Sequence, residues 1–427
     1  MQVKIQSAEK ISGDITVPGD KSISHRAILL SSIRMGMTEI SHLCMGEDVL
    51  HTINIMRELG VTIELNHEKK SARVYGVGLR GLKKPKKPLN CGNSGTTMRL
   101  LCGILSAQSF DSVLIGDASL TKRPMLRVAE PLRLMGATIN LSENNTAPIE
   151  IVGSQILHGM QYESGIPSAQ VKSAILLAGL YAAGETTVIE KIKTRDHTEK
   201  MLSHFNSHSH SHSHSHSHSH LSIPGDMSSA AFFMVAACIV PGSDLMIRCV
   251  GMNPFRTGVI DILKLMGADI TIHNKIQYGA EPVADIRIRY APLHGIVIPD
   301  ALVSKAIDEL PVILMAAVTA TGDTLLRNAK ELRVKESDRL MAVCAGLHNL
   351  GVHVEEYDDG VTIFGAQSFS GGIVDSYGDH RIAMAFIIAG VVAKNPVVVK
   401  ACESINTSFP DFIQIAKAVG VHILLQS

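Results

Sequence analysis

The chain has 427 residues, with 40 Lys and Arg against 40 Asp and Glu, 20 His, seven Cys and no Trp. A formal net charge of zero argues against a nucleic-acid protein that works through a basic surplus, so no such partner is expected. Hydrophobic content of 45% with 19% charged residues describes a globular chain. Its length suits two or three domains of roughly 100–200 residues each.

Outside the Ser-His repeats and their flanks, the longest uncharged run, residues 227–243, is broken by Pro241-Gly242. A membrane span needs about 20 mostly apolar residues, so this run reads as a buried helix and no membrane association is expected. The first six residues lack the layout of a signal peptide. Seven widely spaced Cys without a C-x-x-C pair point to reduced thiols in a cytoplasmic protein, not to disulfides or a zinc site.

In chain order, buried helices are expected to begin near Ser24, Ser94, Ser168, Ser228, Asp308 and Asp379, each a candidate N-cap. They run into stretches rich in Ala, Leu and Met, such as residues 172–183 and 382–392. A short strand should follow each, at 39–42, 112–115, 186–189, 245–249, 324–326 and 397–399. An amphipathic helix comes next, as at 125–135 and 253–266, and it ends on a recurring phrase. That phrase reads Leu59-Gly60-Val61, Met135-Gly136-Ala137, Met266-Gly267-Ala268, Leu350-Gly351-Val352 and Val419-Gly420-Val421. The Gly suits a left-handed residue that stops a helix before a strand.

The spacings between these glycines are 76, 131, 84 and 69 residues, so one copy is missing inside the long interval. A helical stretch at 197–205 fills the expected place, with Asn206 where the Gly should stand. Residues 207–220 are then seven consecutive Ser-His pairs, a low-complexity tract. We expect the tract to overwrite the strand region of one repeat and to be an exposed, disordered insert. Six strand-helix-strand-helix-strand units divide into two domains of three. An echo of Pro18-Gly19-Asp20-Lys21-Ser22 in Pro224-Gly225-Asp226-Met227-Ser228 supports the halving. The expected domains are 20–223, and 1–19 together with 224–427.

Unusual residues gather at the helix starts, where free N–H groups and the helix dipole favour anions. In the first half these are Asp20-Lys21-Ser22-Ile23-Ser24-His25-Arg26, Asn93-Ser94-Gly95-Thr96-Thr97-Met98-Arg99, Thr121-Lys122-Arg123-Pro124, Ser168-Ala169-Gln170-Val171-Lys172 and Thr194-Arg195-Asp196-His197. The second half supplies Ile307-Asp308-Glu309, Arg333-Val334-Lys335-Glu336-Ser337-Asp338-Arg339 and Gly378-Asp379-His380-Arg381. Cations and hydroxyls at the same place in successive repeats suit a substrate with several phosphate or carboxylate groups. Each motif has a plainer reading. Lys335-Glu336-x-x-Arg339 is a common ion-paired helix face, Arg123-Pro124 a helix start with a solvated Arg, and Asp308 an N-cap. His25, His197 and His380 read as core or capping histidines. Repetition in register favours the functional reading.

Together, residues 18–26, 91–96, 123–125, 332–339 and 379–381 resemble the 5-enolpyruvylshikimate-3-phosphate synthase family, with similarity from about residue 8 to 425 outside the Ser-His tract. Residues 168–173 and 194–199 are closer to its class II branch. The resemblance implies an α/β fold of two domains, an inverted α/β barrel of six βαβαββ repeats, three per domain, with the active site in the interdomain cleft. It implies transfer of the enolpyruvyl group of phosphoenolpyruvate to the 5-hydroxyl of shikimate 3-phosphate by addition and elimination, in aromatic amino acid biosynthesis.

By the same resemblance, Lys21, Ser22, Arg26, Ser168, Gln170, Arg195, Asp308 and Lys335 would bind shikimate 3-phosphate. Lys21, Asn93, Gly95, Arg123, Gln170, Arg339 and Arg381 would bind phosphoenolpyruvate. Asp308, Glu336 and Lys21 would be catalytic, and no metal or other cofactor is implied. The inhibitor glyphosate would pack beside Gly95. A monomer is expected. Two departures stand out: Thr407 occupies a place where many class I members carry a phosphate-binding Lys, and Glu331 replaces a frequent Asn.

Two rivals are set against this. A sister transferase acting on UDP-N-acetylglucosamine shares the fold, but it carries a Cys near the Arg-Pro position, which residues 116–127 lack, and an Asn where Ser22 stands. A metal-binding protein built on the Ser-His tract is the non-enzyme alternative, since alternating imidazoles on one strand face chelate nickel, copper or zinc.

Overall fold

The computed structural model describes residues 1–207 and 218–426. Contacts divide the chain into two compact units. One comprises Met1–Pro18, Pro224–Gln277 and Pro282–Ser427; the other comprises Gly19–Ile223 with Tyr278–Glu281.

The second unit is built on three helices, Lys21–Ser32, Gly95–Leu105 and Ala169–Gly179. The last two approach closely because Gly103 has no side chain: a Cβ there would lie 2.2 Å from the Ala174 carbonyl oxygen. In the other unit the helices Met227–Ile239, Leu310–Thr319 and His380–Gly390 form the core, and every residue of the first and third is buried. That burial explains why these segments read as apolar all round, not amphipathic.

The described residues form six sheets, and one pattern recurs in them. In the second unit, Leu89–Asn90 runs parallel to Ser112–Ile115, which pairs antiparallel with Ile149–Val152 and through it with Thr138–Asn140. His218–Ser222 runs parallel to Met35–Ser41, followed by antiparallel Ser71–Val77 and Thr62–Asn66. In the other unit, Gly372–Asp375 and Val397–Lys400 are parallel, with Gln2–Gln6 and His422–Gln426 added antiparallel. Ser12–Thr16 likewise starts a sheet parallel to Asp244–Gly251. The strands Thr324–Leu326, Gly360–Ile363 and Val354–Tyr357 make the fifth sheet. The sixth, Gln161–Ser164 with Thr187–Glu190, holds only its parallel pair among the described residues.

Five helices end in one way. The amide of the glycine bonds three residues back and the next amide five residues back, as in Gly60 to Arg57 and Val61 to Met56. Gly136, Gly267, Gly351 and Gly420 repeat this, all with positive φ. The sequence phrase is therefore a helix-stop followed at once by an extended chain.

Three expected N-caps are corrected. The first helix is capped by Asp20, whose carboxylate accepts the Ile23 amide, and not by Ser24. Ser24 Oγ instead accepts the Cys44 amide at 3.1 Å. Asp226 replaces Ser228 through the Ser228 amide, and Glu309 replaces Asp308 as the cap position, without a side-chain bond. In each Pro-Gly-Asp unit the carboxylate reaches the amides before the serine does. Ser94, Ser168 and Asp379 cap as expected.

Residues 208–217, the bulk of the Ser-His tract, lie outside the described residues. Its last three residues do not fit an entirely disordered insert, because they begin the strand His218–Ser222. Alternation buries Leu221 and sets Ser219 Oγ 3.0 Å from Thr38 Oγ1, while His218 and His220 face outward. Among the described residues, no helix is long and apolar enough to cross a membrane.

Candidate functional site

In the second unit, three helix starts carry residues expected to bind anions. Gly95 is the first residue of its helix, behind the Ser94 cap, and two guanidinium groups flank it. A Cβ at this position would lie 3.2 Å from Arg123 Nη1 and 3.3 Å from Arg99 Nη1. Arg123 donates to Asn93 Oδ1 at 2.7 Å, and Asn93 Nδ2 donates to Asp117 at 2.8 Å. Arg99 donates to Gln170 Oε1, whose amide nitrogen donates to Thr96 Oγ1 at 2.9 Å. Expected residues Asn93, Gly95, Arg123 and Gln170 thus form one connected group. Arg123 is buried, so it is not the solvated helix-start arginine of the plainer reading.

A second group surrounds Arg26, which is 3% exposed. Its Nε donates to Thr198 Oγ1 and one Nη to Ser173 Oγ, both at 2.7 Å, and the other Nη to the Ser22 carbonyl at 2.9 Å. Neutral oxygens therefore hold this guanidinium without cancelling its charge. Burial, and next the positive charge of Arg195, push its pKa down to about 10. Arg195 therefore acts on Arg26 as a nearby like charge. Lys21 pairs with Asp48 at 2.9 Å. His25 Nδ1 lies 2.7 Å from Thr52 Oγ1, and burial followed by Lys21 holds its pKa well below the usual histidine value. Ser168 Oγ accepts the Val171 amide at 3.4 Å, a capping role that leaves its own proton available to donate.

In the other unit the charges close around Arg339, which is 1% exposed. Its Nε donates to Asp379 Oδ2 at 2.8 Å, one Nη to Glu336 Oε2 at 2.6 Å and the other to Asp308 Oδ1 at 3.4 Å. Burial works to lower its pKa, but the three carboxylates outweigh burial and raise it. Arg381 donates to the Asp308 carbonyl at 3.1 Å, and its amide bonds Asp379 Oδ1 at 2.9 Å. Lys335 has a lowered pKa because burial exceeds the support of Asp308 and Glu331. Lys335 and Glu336 precede the helix Arg339–Asn349, whose cap is Asp338, so the motif is not an exposed helix face. All five residues expected here, Asp308, Lys335, Glu336, Arg339 and Arg381, belong to one cluster.

Several residues of these clusters are not among the expected site residues. Arg99 stood one turn beyond Gly95 in a motif already singled out, and that spacing was its signal. Asp379, expected as a cap and as part of the 379–381 motif, is also a carboxylate partner of Arg339. Asp48 carried no signal. Asp226, Ser228 and Glu309 stood in motifs already singled out, but Arg256 did not; Arg256 Nη2 lies 2.9 Å from Asp226 Oδ1 and 3.8 Å from Glu309 Oε1. It braces the residue next to Asp308.

Among the described residues, one group of His and carboxylates has metal-ligand spacing: Asp196, His197 and Glu281. The Lys200 ammonium already lies 3.6 Å from Asp196 and 3.5 Å from Glu281, so the acidic charge there has a cation.

A family model described as EPSP synthase (3-phosphoshikimate 1-carboxyvinyltransferase) matches residues 5–415. A 3-phosphoshikimate 1-carboxyvinyltransferase of Alkalilimnicola ehrlichii is 51% identical over 99% of this chain and 96% of its own length. One from Legionella pneumophila is also 51% identical, over 97% and 96%. A solved structure of EPSP synthase from Acinetobacter baumannii aligns with a TM-score of 0.86 and 44% identity, covering 100% of both chains. With the match extending over nearly the full length, the chain belongs to the EPSP synthase family.

Proposed function

We propose that these clusters carry the reaction of the family: transfer of the enolpyruvyl group of phosphoenolpyruvate to the 5-hydroxyl of shikimate 3-phosphate, releasing phosphate. The observation that carries the assignment of roles is that one buried guanidinium, Arg339, holds both Asp308 and Glu336. The reaction needs two proton transfers, one from the hydroxyl and one to the methylene carbon of phosphoenolpyruvate. Two carboxylates fixed on one cation, with the ammonium of Lys335 in the same cluster, supply an acid and a base at a common place. Addition joins the hydroxyl oxygen to C2 and a proton to C3; elimination removes the phosphate from C2 and a proton from C3. Lys21 is the third catalytic residue in this reading.

Arg26, Arg195, Ser22, Ser168 and Gln170, with Lys21, Asp308 and Lys335, bind shikimate 3-phosphate. Arg123, Asn93 and Gly95, with Lys21, Gln170, Arg339 and Arg381, bind phosphoenolpyruvate. The neutral anchoring of Arg26 and the paired guanidiniums beside Gly95 support these roles, since both leave positive charge for a phosphate. The relatives' names support shikimate 3-phosphate as acceptor and lend nothing to UDP-N-acetylglucosamine or to metal binding. The setting is a cytoplasmic monomer, with seven free cysteines consistent with a reducing compartment.

The test is phosphate release from phosphoenolpyruvate, measured with and without shikimate 3-phosphate. Wild type should require both substrates, and Asp308→Asn and Glu336→Gln should each lower kcat by about 10²-fold or more. Release from phosphoenolpyruvate alone, acceptance of UDP-N-acetylglucosamine in place of shikimate 3-phosphate, or full kcat in both variants overturns the reading.

A further inference from the structure

We propose that Lys172 is a positioning residue for shikimate 3-phosphate, acting through Arg195. It lies in the helix Ala169–Gly179, and its side chain is only 5% exposed. The ammonium reaches Glu190 Oε2 at 2.8 Å, Glu199 Oε1 at 2.7 Å and the Thr194 carbonyl at 3.4 Å. Three donors thus meet three acceptors, the full capacity of a lysine. Those acceptors stand at the start, middle and end of one segment, from the strand end at Glu190 to the first turn of the helix His197–Ser207. Glu190 tightens the same segment, taking the Thr194 hydroxyl on one oxygen and the Thr194 amide at 3.4 Å on the other. Arg195 lies within this pinned segment.

The reason for such a clamp is electrostatic. Arg195 acts on Arg26 as a like charge, and Arg26 is fixed to Ser173 and Thr198. Ser173 is the neighbour of Lys172, and Thr198 precedes Glu199. Without an anion between them the two guanidiniums repel, and an untethered loop would relax by carrying Arg195 away. A buried ion cluster is a weak source of stability, since apolar side chains of similar size do as well or better. Its use here is to hold one cation near another before the ligand arrives, so that the loop need not be ordered on binding.

The inference rests on the reading of Arg26 and Arg195 as ligands of shikimate 3-phosphate. It is tested by titration calorimetry with shikimate 3-phosphate and by steady-state kinetics on the full chain. Lys172→Met should weaken binding of shikimate 3-phosphate about tenfold and raise its KM to match, with kcat and the KM for phosphoenolpyruvate within about twofold of wild type. Lys172→Arg should recover most of the loss. On an Arg195→Gln background, Lys172→Met should add less than about twofold, because its effect passes through the missing arginine. Lys172→Met leaves Glu190 buried without its cation, so Lys172→Met/Glu190→Met, which removes both charges, is compared by thermal melting and shows the same KM effect. A folded Lys172→Met protein with wild-type affinity, or losses that multiply on the Arg195→Gln background, overturns the role of Lys172. Wild-type affinity in Arg195→Gln itself overturns the underlying ligand assignment instead.

Discussion

The Asp379 carboxylate, fully buried, holds Arg339 through Nε at 2.8 Å while its other oxygen caps the next helix at the Arg381 amide. One side chain therefore fixes the orientation of two of the cations expected to meet phosphoenolpyruvate. Removing it leaves a buried arginine short of a partner and a helix start without its cap. Asp379→Ala is expected to cost about 3–5 kcal/mol of stability, the range for breaking a buried ion pair from one side. Asp379→Asn, which keeps a capping oxygen, should cost less. Urea denaturation of the three proteins measures this, and equal stability of wild type and Asp379→Ala would contradict it.

Gly95 lies where an added methyl meets Arg123 and Arg99 at 3.2 and 3.3 Å. Contacts that close force each guanidinium to give by a few tenths of an ångström, in a place proposed to hold phosphoenolpyruvate. Gly95→Ala is expected to raise the KM for phosphoenolpyruvate several-fold and to weaken inhibition by glyphosate by a larger factor. Inhibition constants for the two proteins decide it, and equal values would sink the idea.

Folding should respond to acid through His25. Its pKa is depressed by burial and by Lys21, so the folded chain resists a proton that the unfolded chain takes up below about pH 6.5. The resulting stability is fully present above that pH and is lost as pH falls, with a slope of up to about 1.4 kcal/mol per pH unit from this group. His25→Asn should flatten the slope between pH 6.5 and 5. Denaturant midpoints that fall equally steeply in both proteins would assign the acid sensitivity to other groups.

What the sequence disclosed and what it hid divide along a physical line. Glycines at 60, 136, 267, 351 and 420 were legible because a left-handed helix stop is a local demand that only one residue type meets easily. The uniformly apolar helices were legible by composition. Caps in the two Pro-Gly-Asp units were not, since an aspartate and a serine two to four residues apart compete, and only the folded chain shows that Ser24 is taken by Cys44. In the site, the cations announced themselves by clustering at helix starts. Which carboxylates they pair with was not legible, because Asp48 meets Lys21 across 27 residues and Asp379 meets Arg339 across 40. Lys172 sat within a quoted motif, yet its burial and its three acceptors are properties of the fold alone.

Lys335 gives the last expectation, at the alkaline end. Burial lowers its pKa although Asp308 and Glu331 oppose this, so it loses its proton below the usual lysine value of 10.5. If Lys335 binds shikimate 3-phosphate as proposed, its neutral form no longer attracts that dianion. The ratio kcat/KM for that substrate, which reports groups of the free enzyme, should therefore fall on an alkaline limb centred below pH 10.5. Lys335→Arg keeps a charge that does not titrate in this range. Its limb should move to higher pH, even if the arginine fits less well and lowers the plateau. A limb unmoved in Lys335→Arg would trace the fall to another group, and Lys21, whose ammonium is paired with Asp48, would be the next to replace.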